Sequence, residues 1–156
     1  MIEIERKFLV TSKAYQDEAF KKTRIVQGFL NTDPERTVRV RLKENKGILA
    51  IKGMASNDGV TRFEWEKEIS KADAENLLQL CEKGIIDKLR YELRVGNHIF
   101  EVDEFYGDNL GLIIAEIELN NVDEPFEKPN WLGKEVTGQI KYYNSQLSKN
   151  PFNTWS

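Results

Sequence analysis

The sequence predicts a mainly β protein of the α+β type, with eight antiparallel strands and a few helices packed outside them. Eight segments alternate between charged and apolar residues, which is the side-chain period of a β-strand. Most links between these segments have hairpin length, and short links favour antiparallel neighbours. The predicted helices carry narrow apolar stripes that need a surface to pack on. Because eight antiparallel strands can close on themselves, we expect a closed tunnel or barrel.

The first ten residues show the alternation most clearly. Glu3, Glu5 and Lys7 recur with a period of two, whereas Ile4 and Phe8 occupy the other positions. In an extended strand this spacing places the charged groups on one face and the apolar groups on the other. Two interpretations are open: an amphipathic strand with a solvated face, or one wall of a site for metal ions and phosphates. The second gains weight because carboxylates in register with basic residues return on later strands.

Seven further segments continue the pattern, and the sequence also predicts where they turn. We place strands at residues 24–31, 37–43, 48–52, 60–69, 87–95, 99–105 and 112–120. Asn45-Lys46-Gly47 and Gly96-Asn97 are hairpin signals between them. Helices are predicted at residues 13–22, 71–83 and about 139–149, the second with Ser70 as its N-cap. Since there is no internal repeat or linker, the whole chain, 1–156, is expected to form one domain.

Composition narrows the classes of function. A formal net charge of −3 over 156 residues gives no excess of basic charge for nucleic acid or an anionic membrane surface, although 31% of the residues are charged. The single cysteine, Cys81, excludes an internal disulfide and is expected to be buried and inert. The single histidine, His98, has no Cys or His partner for a zinc site. Without a long apolar run or a signal peptide, we expect a soluble, cytoplasmic protein.

The type of barrel depends on whether the charged strand faces point inward or outward. Aliphatic faces inside would leave the charges solvated, whereas charged faces inside would line a lumen and leave the aliphatic faces for the helices. The charged faces are rich in Arg, and their acids and bases nearly balance, as buried charges require. The acids are Glu3, Glu5, Glu64, Glu66, Glu101, Asp103, Glu116 and Glu118, and the bases are Lys7, Arg39, Arg41, Lys43, Lys52, Arg62, Lys88, Arg90 and Arg94. From the residues alone, both orientations remain open.

The N-terminal Glu3-x-Glu5-x-Lys7 resembles the signature of the CYTH superfamily, also called the triphosphate tunnel metalloenzymes. The similarity continues in order along the chain through Gln27-Gly28-Phe29-Leu30, Arg39-Val40-Arg41, Lys52, Arg62-x-Glu64-x-Glu66, Lys88-x-Arg90-Tyr91, Val102-Asp103-x-Phe105, Ala115-Glu116-Ile117-Glu118 and Trp131-Leu132-Gly133-x-Glu135-Val136-Thr137. This ordered set covers residues 2 to about 147. The resemblance implies an eight-stranded antiparallel tunnel that binds a triphosphate with a divalent metal ion, and it favours the charged lumen.

A triphosphate in such a tunnel needs cations, and its metal ion needs oxygen ligands. Guanidinium groups bind phosphate oxygens in pairs, and ammonium groups act as point charges. The predicted substrate-binding residues are Lys7, Arg39, Arg41, Lys52, Arg62, Lys88 and Arg90. Clustered carboxylates select Mg²⁺ or Mn²⁺ when Cys and His are absent. The resemblance implies metal ligation by Glu3, Glu5, Glu116 and Glu118, and catalytic roles for Lys7, Glu64 and Glu66, the two glutamates supporting a second ion or positioning water.

Three other predicted lumen residues, Glu101, Asp103 and Phe29, are not expected to bind metal or phosphate. Glu101 and Asp103 are expected to pair with Arg94 or Lys88 rather than to bind metal. Phe29 stands where relatives commonly carry Tyr, so a hydroxyl that could orient water is missing there.

Three classes of function fit this set of residues. The first is hydrolysis of inorganic tripolyphosphate, or of a small organic triphosphate, to pyrophosphate and phosphate. The second is a class IV-type adenylate cyclase that makes cyclic AMP from ATP and needs a purine pocket. The third is a non-catalytic polyphosphate-binding module. Because the lumen offers groups for phosphate and metal but no clear purine reader, inorganic tripolyphosphate is the predicted substrate.

Two further expectations concern the surroundings of the tunnel. Lys134 and the helix after Gly138 either close one tunnel mouth or only pack against it. The expected partner is a small-molecule triphosphate, with neither nucleic acid nor membrane, and the protein is either a monomer or a homodimer.

Overall fold

The computed structural model describes residues 2–155 and consists of nine strands with a few short helices. The strands are β1 (Ile2–Val10), β2 (Lys21–Asn31), β3 (Arg36–Lys43), β4 (Lys46–Gly53), β5 (Thr61–Ile69), β6 (Ile86–Val95), β7 (His98–Phe105), β8 (Ile113–Glu118) and β9 (Leu132–Glu135). The α-helices are α1 (Tyr15–Glu18), α2 (Lys71–Leu78) and α3 (Asn144–Leu147). Single 3₁₀ turns occupy Gly107–Asn109, Ile140–Tyr142 and Phe152–Thr154.

Eight of these strands form a closed antiparallel barrel. Around the ring the order is β1, β5, β4, β3, β2, β6, β7 and β8, and β8 returns to β1. The seam between β1 and β5 is short and sets Glu3 opposite Arg62. β9 adds to the end of β1 as a ninth strand, which the sequence reading did not anticipate. The eight-stranded closed antiparallel architecture is confirmed.

The first predicted helix, residues 13–22, is mostly wrong. α1 is a single turn, and Lys21 is already paired with Glu92 of β6. β2 pairs with β6 from Lys21 to Gln27, so cross-strand hydrogen bonds outweigh the weak apolar stripe that suggested a helix.

The other two predicted helices are correctly placed but shorter. α2 begins at its predicted cap, where the Ser70 hydroxyl accepts a hydrogen bond from the backbone N–H of Asp73 at 3.0 Å, and it ends at Leu78. Residues 139–149 divide into a 3₁₀ turn and α3. Two glycines let this side of the barrel fit closely: a Cβ at Gly47 would lie 2.7 Å from the Ala74 Cβ, and one at Gly28 would lie 2.8 Å from the Cys81 Cβ.

The outer face of β1, β6, β7 and β8 is covered by an aromatic cluster. The Tyr15 ring from α1 lies 5.3 Å from the Tyr91 ring and 5.9 Å from the Trp131 ring, and Trp131 lies 5.5 Å from Phe100. The buried members of the cluster are Phe8, Tyr15, Tyr91, Leu93, Phe100, Val102, Ala115, Ile117, Leu119 and Trp131. This face supplies much of the apolar burial that stabilises the fold.

The outer face of β5 is not covered, which corrects one expectation. A charged lumen leaves the outward apolar strand faces for the helices to cover, and Tyr91 lies against Tyr15 of α1, but Phe63 is 49% exposed and Trp65 is 36% exposed. Among the outward aliphatic residues, Val40 and Ile117 are buried, whereas Ile4 is half-buried. The reason is the position of α2, which packs mainly against β3 and β4.

The chain has a single cysteine, Cys81, and a single histidine, His98. Cys81 is partly rather than fully buried; burial raises the pKa of its thiol, which keeps the thiolate scarce at neutral pH. His98 begins β7 and contacts Glu124. Within residues 2–155, no helix has both the length and the apolar character needed to cross a membrane.

Candidate active site: a charged tunnel

The barrel encloses a cavity of about 290 Å³ lined mainly by charged side chains. They come from the inward-facing positions of the strands, so the charged-lumen orientation is the one the structure adopts. All thirteen residues predicted for catalysis, substrate binding or metal binding line this cavity: Glu3, Glu5, Lys7, Arg39, Arg41, Lys52, Arg62, Glu64, Glu66, Lys88, Arg90, Glu116 and Glu118. Phe29 also lines it.

Lys88, Arg90 and Asp103, on β6 and β7, form a buried ion-pair cluster that we call the paired wall. Lys88 Nζ lies 2.8 Å from Asp103 Oδ2, and Arg90 donates to the same carboxylate from Nε (2.8 Å) and Nη2 (2.9 Å). Burial alone would raise the pKa of Asp103, but the charges of Arg90 and Lys88 hold it below its usual range. Burial lowers the pKa of Lys88 to about 7. The expected pairing of Asp103 with Lys88 is therefore confirmed.

Glu101 also pairs, but with a different partner from those expected. Its carboxylate lies 3.2 Å from Arg90 Nη1, rather than against Arg94 or Lys88. Arg94 instead lines an adjoining cavity, which Glu101 and Glu118 share. The register of β6 and β7 sets Arg90 opposite Asp103 and Glu92 opposite Glu101, so Arg90 and Arg94 are both diagonal neighbours of Glu101 and the register by itself does not choose between them.

Carboxylates from β1 and β8, the strands that follow β7 around the barrel, meet beside the paired wall, where Glu3, Glu5 and Glu118 form what we call the acidic wall. Burial, together with the charges of Glu116 and Glu3, raises the pKa of Glu5 well above its ordinary value. Burial and the charge of Glu3 likewise raise the pKa of Glu118. Glu3 is partly balanced by Lys52, whose Nζ lies 3.0 Å from it. When all three carboxylates ionise, the wall carries more negative charge than Lys52 neutralises.

Glu116 and Glu64 connect the acidic wall to lysines. Lys7 Nζ lies 3.8 Å from Glu116 and Lys52 Nζ lies 3.2 Å from Glu64. Burial would raise the pKa of Glu116, but the charge of Lys7 and a hydrogen bond with Glu5 bring it down to about 2. Glu116 is therefore ionised across the neutral range.

The chemistry of this donor set fits a hard divalent cation. Only carboxylates are offered, and the pKa values of Glu5 and Glu118 are raised by burial and by the charges of neighbouring carboxylates, both of which a bound cation would offset. Among residues 2–155, no group of three or more His, Cys, Asp or Glu side chains is placed to hold an ion by itself. Substrate oxygens and water would complete the ligand set, as is usual for Mg²⁺.

The guanidinium groups form the complementary, phosphate-seeking part of the lumen. Burial, together with the charges of Arg39 and Arg90, lowers the pKa of Arg41 to about 9. Arg39 donates to Glu66 at 3.1 Å, and its Nε is buried without a hydrogen-bond partner among the described residues. Arg62 donates to the Thr37 hydroxyl at 3.1 Å. Crowded cations and an unsatisfied buried donor are what a bound polyanion would neutralise.

The segment after β9 closes one end of the tunnel. Thr137, Gly138, Tyr143, Asn144 and Ser145 all line the cavity. The segment is tied to β1, because the Val136 N–H donates to the Lys7 carbonyl at 2.8 Å. Its turn also meets the loop before β5, where a Cβ on Gly59 would lie 2.2 Å from the Gly138 Cα. The segment therefore closes a mouth, as one of the two predicted alternatives stated.

Lys134 does not take part in that closure. It is exposed and does not line the cavity. Sequence reasoning also missed Gln27 and Asn144 as parts of the site. Gln27 carried a signal, since it is a polar residue at an inward position of a strand, whereas Asn144 carried none because it lies outside the barrel strands.

The fold and the site define a closed antiparallel tunnel whose lumen carries both cationic groups and carboxylates. The model of the CYTH domain matches residues 1–149, so the chain belongs to the CYTH family. It is 46% identical to an inorganic triphosphatase of Acetivibrio thermocellus, over 96% of this chain and 95% of that protein. It is also 32% identical to an inorganic triphosphatase of Nitrosomonas europaea, over 95% of this chain and 97% of that one.

Solved structures agree with this assignment. A crystal structure of an inorganic triphosphatase superposes with a TM-score of 0.67 at 30% identity, covering 94% of this chain and 97% of the other. A candidate adenylyl cyclase from Hippeastrum, described as having dominant triphosphatase activity, superposes with a TM-score of 0.60 at 15% identity, over 76% of this chain and 80% of that one. The second similarity supports the fold alone. Triphosphatases with this domain generally depend on a divalent metal ion.

Proposed function

We propose that this protein hydrolyses inorganic tripolyphosphate to pyrophosphate and phosphate with the help of Mg²⁺ or Mn²⁺. The observation that carries the proposal is the lining of the closed cavity: cationic groups for phosphate meet carboxylates for metal in about 290 Å³. The two similar proteins at 46% and 32% identity are both inorganic triphosphatases, which supports the same reaction. The cytoplasmic location and the monomeric or homodimeric state stay predictions.

The proposed roles follow from the charge that each side chain offers. Arg39, Arg41, Arg62 and Arg90 bind phosphate oxygens in pairs, and Lys7, Lys52 and Lys88 act as point charges. Glu3, Glu5, Glu116 and Glu118 hold the metal ion, which supplies charge neutralisation for the phosphate groups. We assign Glu64 and Glu66 to positioning the attacking water or supporting a second ion, with Lys7 beside the reacting phosphate.

To catalyse phosphoryl transfer, the protein mainly has to position the triphosphate and the water and to stabilise the transition state electrostatically. The guanidinium groups hold the triphosphate so that one terminal phosphorus faces the water. Their buried charge also stabilises the negative charge that develops on the leaving pyrophosphate. No covalent nucleophile is required, and none of the residues assigned above is a Ser, Cys or His.

The shape of the closed end favours a substrate without an organic tail. The Tyr143 ring is the aromatic group that reaches the cavity from that end, and its face is already close to two cations: Lys7 Nζ is 5.4 Å and Arg62 Cζ is 5.9 Å from its centroid. It is therefore poorly placed to stack on a purine. An ordered tail would also cost conformational entropy without adding contacts.

The test compares kcat/KM for tripolyphosphate, ATP and thiamine triphosphate, each with Mg²⁺ and with Mn²⁺, and it measures phosphate and cyclic AMP. We expect tripolyphosphate to be the best substrate and metal to be required. If ATP matches it, or if cyclic AMP is the main product, the adenylate cyclase alternative is correct. Binding without turnover under every metal condition would instead indicate a polyphosphate-binding module.

A further inference from the structure

We propose that Asn144 is a positioning residue of the tunnel: its side-chain amide sets the orientation of Lys88 and, through Gln27, that of Arg41. The proposal rests on the proposed function, because it adds a residue to the same site. Asn144 is the first residue of α3, in the segment that closes the tunnel, and it lines the cavity.

The Asn144 carbonyl oxygen is shared by two buried donors. Oδ1 accepts from Lys88 Nζ at 3.0 Å and from Gln27 Nε2 at 3.0 Å. Gln27 Oε1 in turn accepts from Arg41 Nε at 2.9 Å. Lys88 and Gln27 are each 1% exposed, so bulk water is poorly placed to replace a lost acceptor.

These bonds leave defined donors for an anion. An ammonium group has three N–H donors. Lys88 uses one on Asp103 at 2.8 Å and one on Asn144, and the third remains for the cavity that Lys88 lines. Arg41 uses Nε on Gln27, which leaves both terminal amino groups for phosphate oxygens. Because two bonds fix the direction of the third, Asn144 determines where Lys88 donates.

The segment that carries Asn144 is itself held firmly. Lys7 Nζ donates to the Tyr142 carbonyl at 3.3 Å, immediately before α3, and Leu147 at the end of α3 is fully buried. Truncating Asn144 should therefore leave the segment in place and free Lys88 and Gln27. The charges stay in the lumen, so we expect substrate binding to suffer less than the chemical step, which depends on geometry.

The experiment combines Asn144→Ala, Lys88→Met and the double variant. Asn150→Ala is the matched control, an exposed asparagine of the same C-terminal segment that does not line the cavity. We expect Asn144→Ala to lower kcat/KM for tripolyphosphate by about 10- to 100-fold, mostly through kcat, and the control to match wild type. In the double variant, removing Asn144 should cost less than it does in wild type, because only the route through Gln27 to Arg41 remains to be lost. Full additivity of the two losses, or wild-type kinetics in Asn144→Ala, would overturn the proposal.

A second readout does not depend on the substrate. In protein labelled with ¹⁵N-lysine, the buried Lys88 ammonium signal, assigned with Lys88→Met, should shift or exchange faster in Asn144→Ala. It should return towards wild type in Asn144→Asp, which keeps an acceptor. If the signal moves but wild-type protein does not cleave tripolyphosphate, the proposed function fails and the positioning role stands. An unmoved Lys88 signal in Asn144→Ala rejects the positioning role whatever the substrate is.

Discussion

The paired wall and the acidic wall of the tunnel carry buried charge in different ways. In the paired wall, Lys88, Arg90 and Asp103 are each at least nine-tenths buried, and every charge has an opposite charge within 3 Å. In the acidic wall, burial and neighbouring carboxylates raise the pKa values of Glu5 and Glu118. The charges of the paired wall already have opposite charges beside them in the folded chain, whereas the carboxylates of the acidic wall need a bound cation to neutralise them. The difference teaches that the paired wall holds its charges by mutual pairing and offers a ligand only the remaining donors of Lys88 and Arg90, whereas the acidic wall depends on a bound cation.

The largest expected effect is on the paired wall. Asp103→Asn keeps the size of the side chain but leaves Lys88 and Arg90 as buried cations without this counter-charge. We expect the free energy of unfolding to fall by about 3–5 kcal/mol, measured by denaturant unfolding. Asp87→Asn is the control, because Asp87 forms an ion pair with exposed Arg24 and should cost under about 1 kcal/mol. Equal losses in the two variants would contradict the distinction between the walls.

The next effect is on catalysis at the acidic wall. Glu118→Gln removes a proposed metal ligand, so we expect kcat/KM to fall by at least about 100-fold. Thermal stability should be unchanged or higher, because repulsion with Glu3 is relieved. Glu68→Gln is the control, since Glu68 is exposed on β5 and does not line the cavity. Wild-type turnover in Glu118→Gln, or full activity in excess chelator, would exclude metal catalysis through this residue.

A third prediction concerns pH and metal together. The pKa values of Glu5 and Glu118 are raised in the fold, so without metal these groups hold protons that the unfolded chain releases above its ordinary pKa of 4.5. Their contribution to stability is present at low pH and is lost as pH rises through the raised pKa values. A divalent cation replaces those protons, so its stabilising effect should grow as pH rises.

The measurement is the melting temperature with and without Mg²⁺ at pH 5 and at pH 8, with pyrophosphate present in every sample so that phosphate oxygens can complete the ligand set. At about 100 times Kd, Mg²⁺ should raise Tm at pH 8 by about 5–10 °C, and by less at pH 5. Glu118→Gln should reduce the increment at pH 8. An increment that is the same at both pH values would argue against metal binding by these carboxylates.

The smallest expected effect lies at the boundary between the walls. Glu101 pairs with Arg90 at 3.2 Å, but Asp103 already holds Arg90 with two hydrogen bonds. Glu101→Gln should therefore lower kcat/KM by less than about 10-fold, or about 1.4 kcal/mol. If its loss equals that of Glu118→Gln, Glu101 belongs with the metal-binding carboxylates and the two walls are not separate.

The sequence could predict the barrel and the charged residues of the site because both depend on a period of two. Alternation on each strand puts Glu3, Glu5 and Lys7 on one face, and the same rule applied to later strands found the charged residues that line the cavity, although it missed Asn144. Local pattern could not set the lengths of the helices, since the pairing of β2 with β6 took residues that had been read as helix.

The sequence by itself determined which side chains share a strand face, because neighbours along a strand fix that face. Only the tertiary structure decided which of them meet, since the register between strands places Arg90, and not Arg94, against Asp103. It also brought Asn144 to Lys88 across 56 positions of the chain and left Trp65 without a covering helix. These outcomes depend on where distant segments dock, and that is set by the packing of the whole barrel rather than by any local pattern.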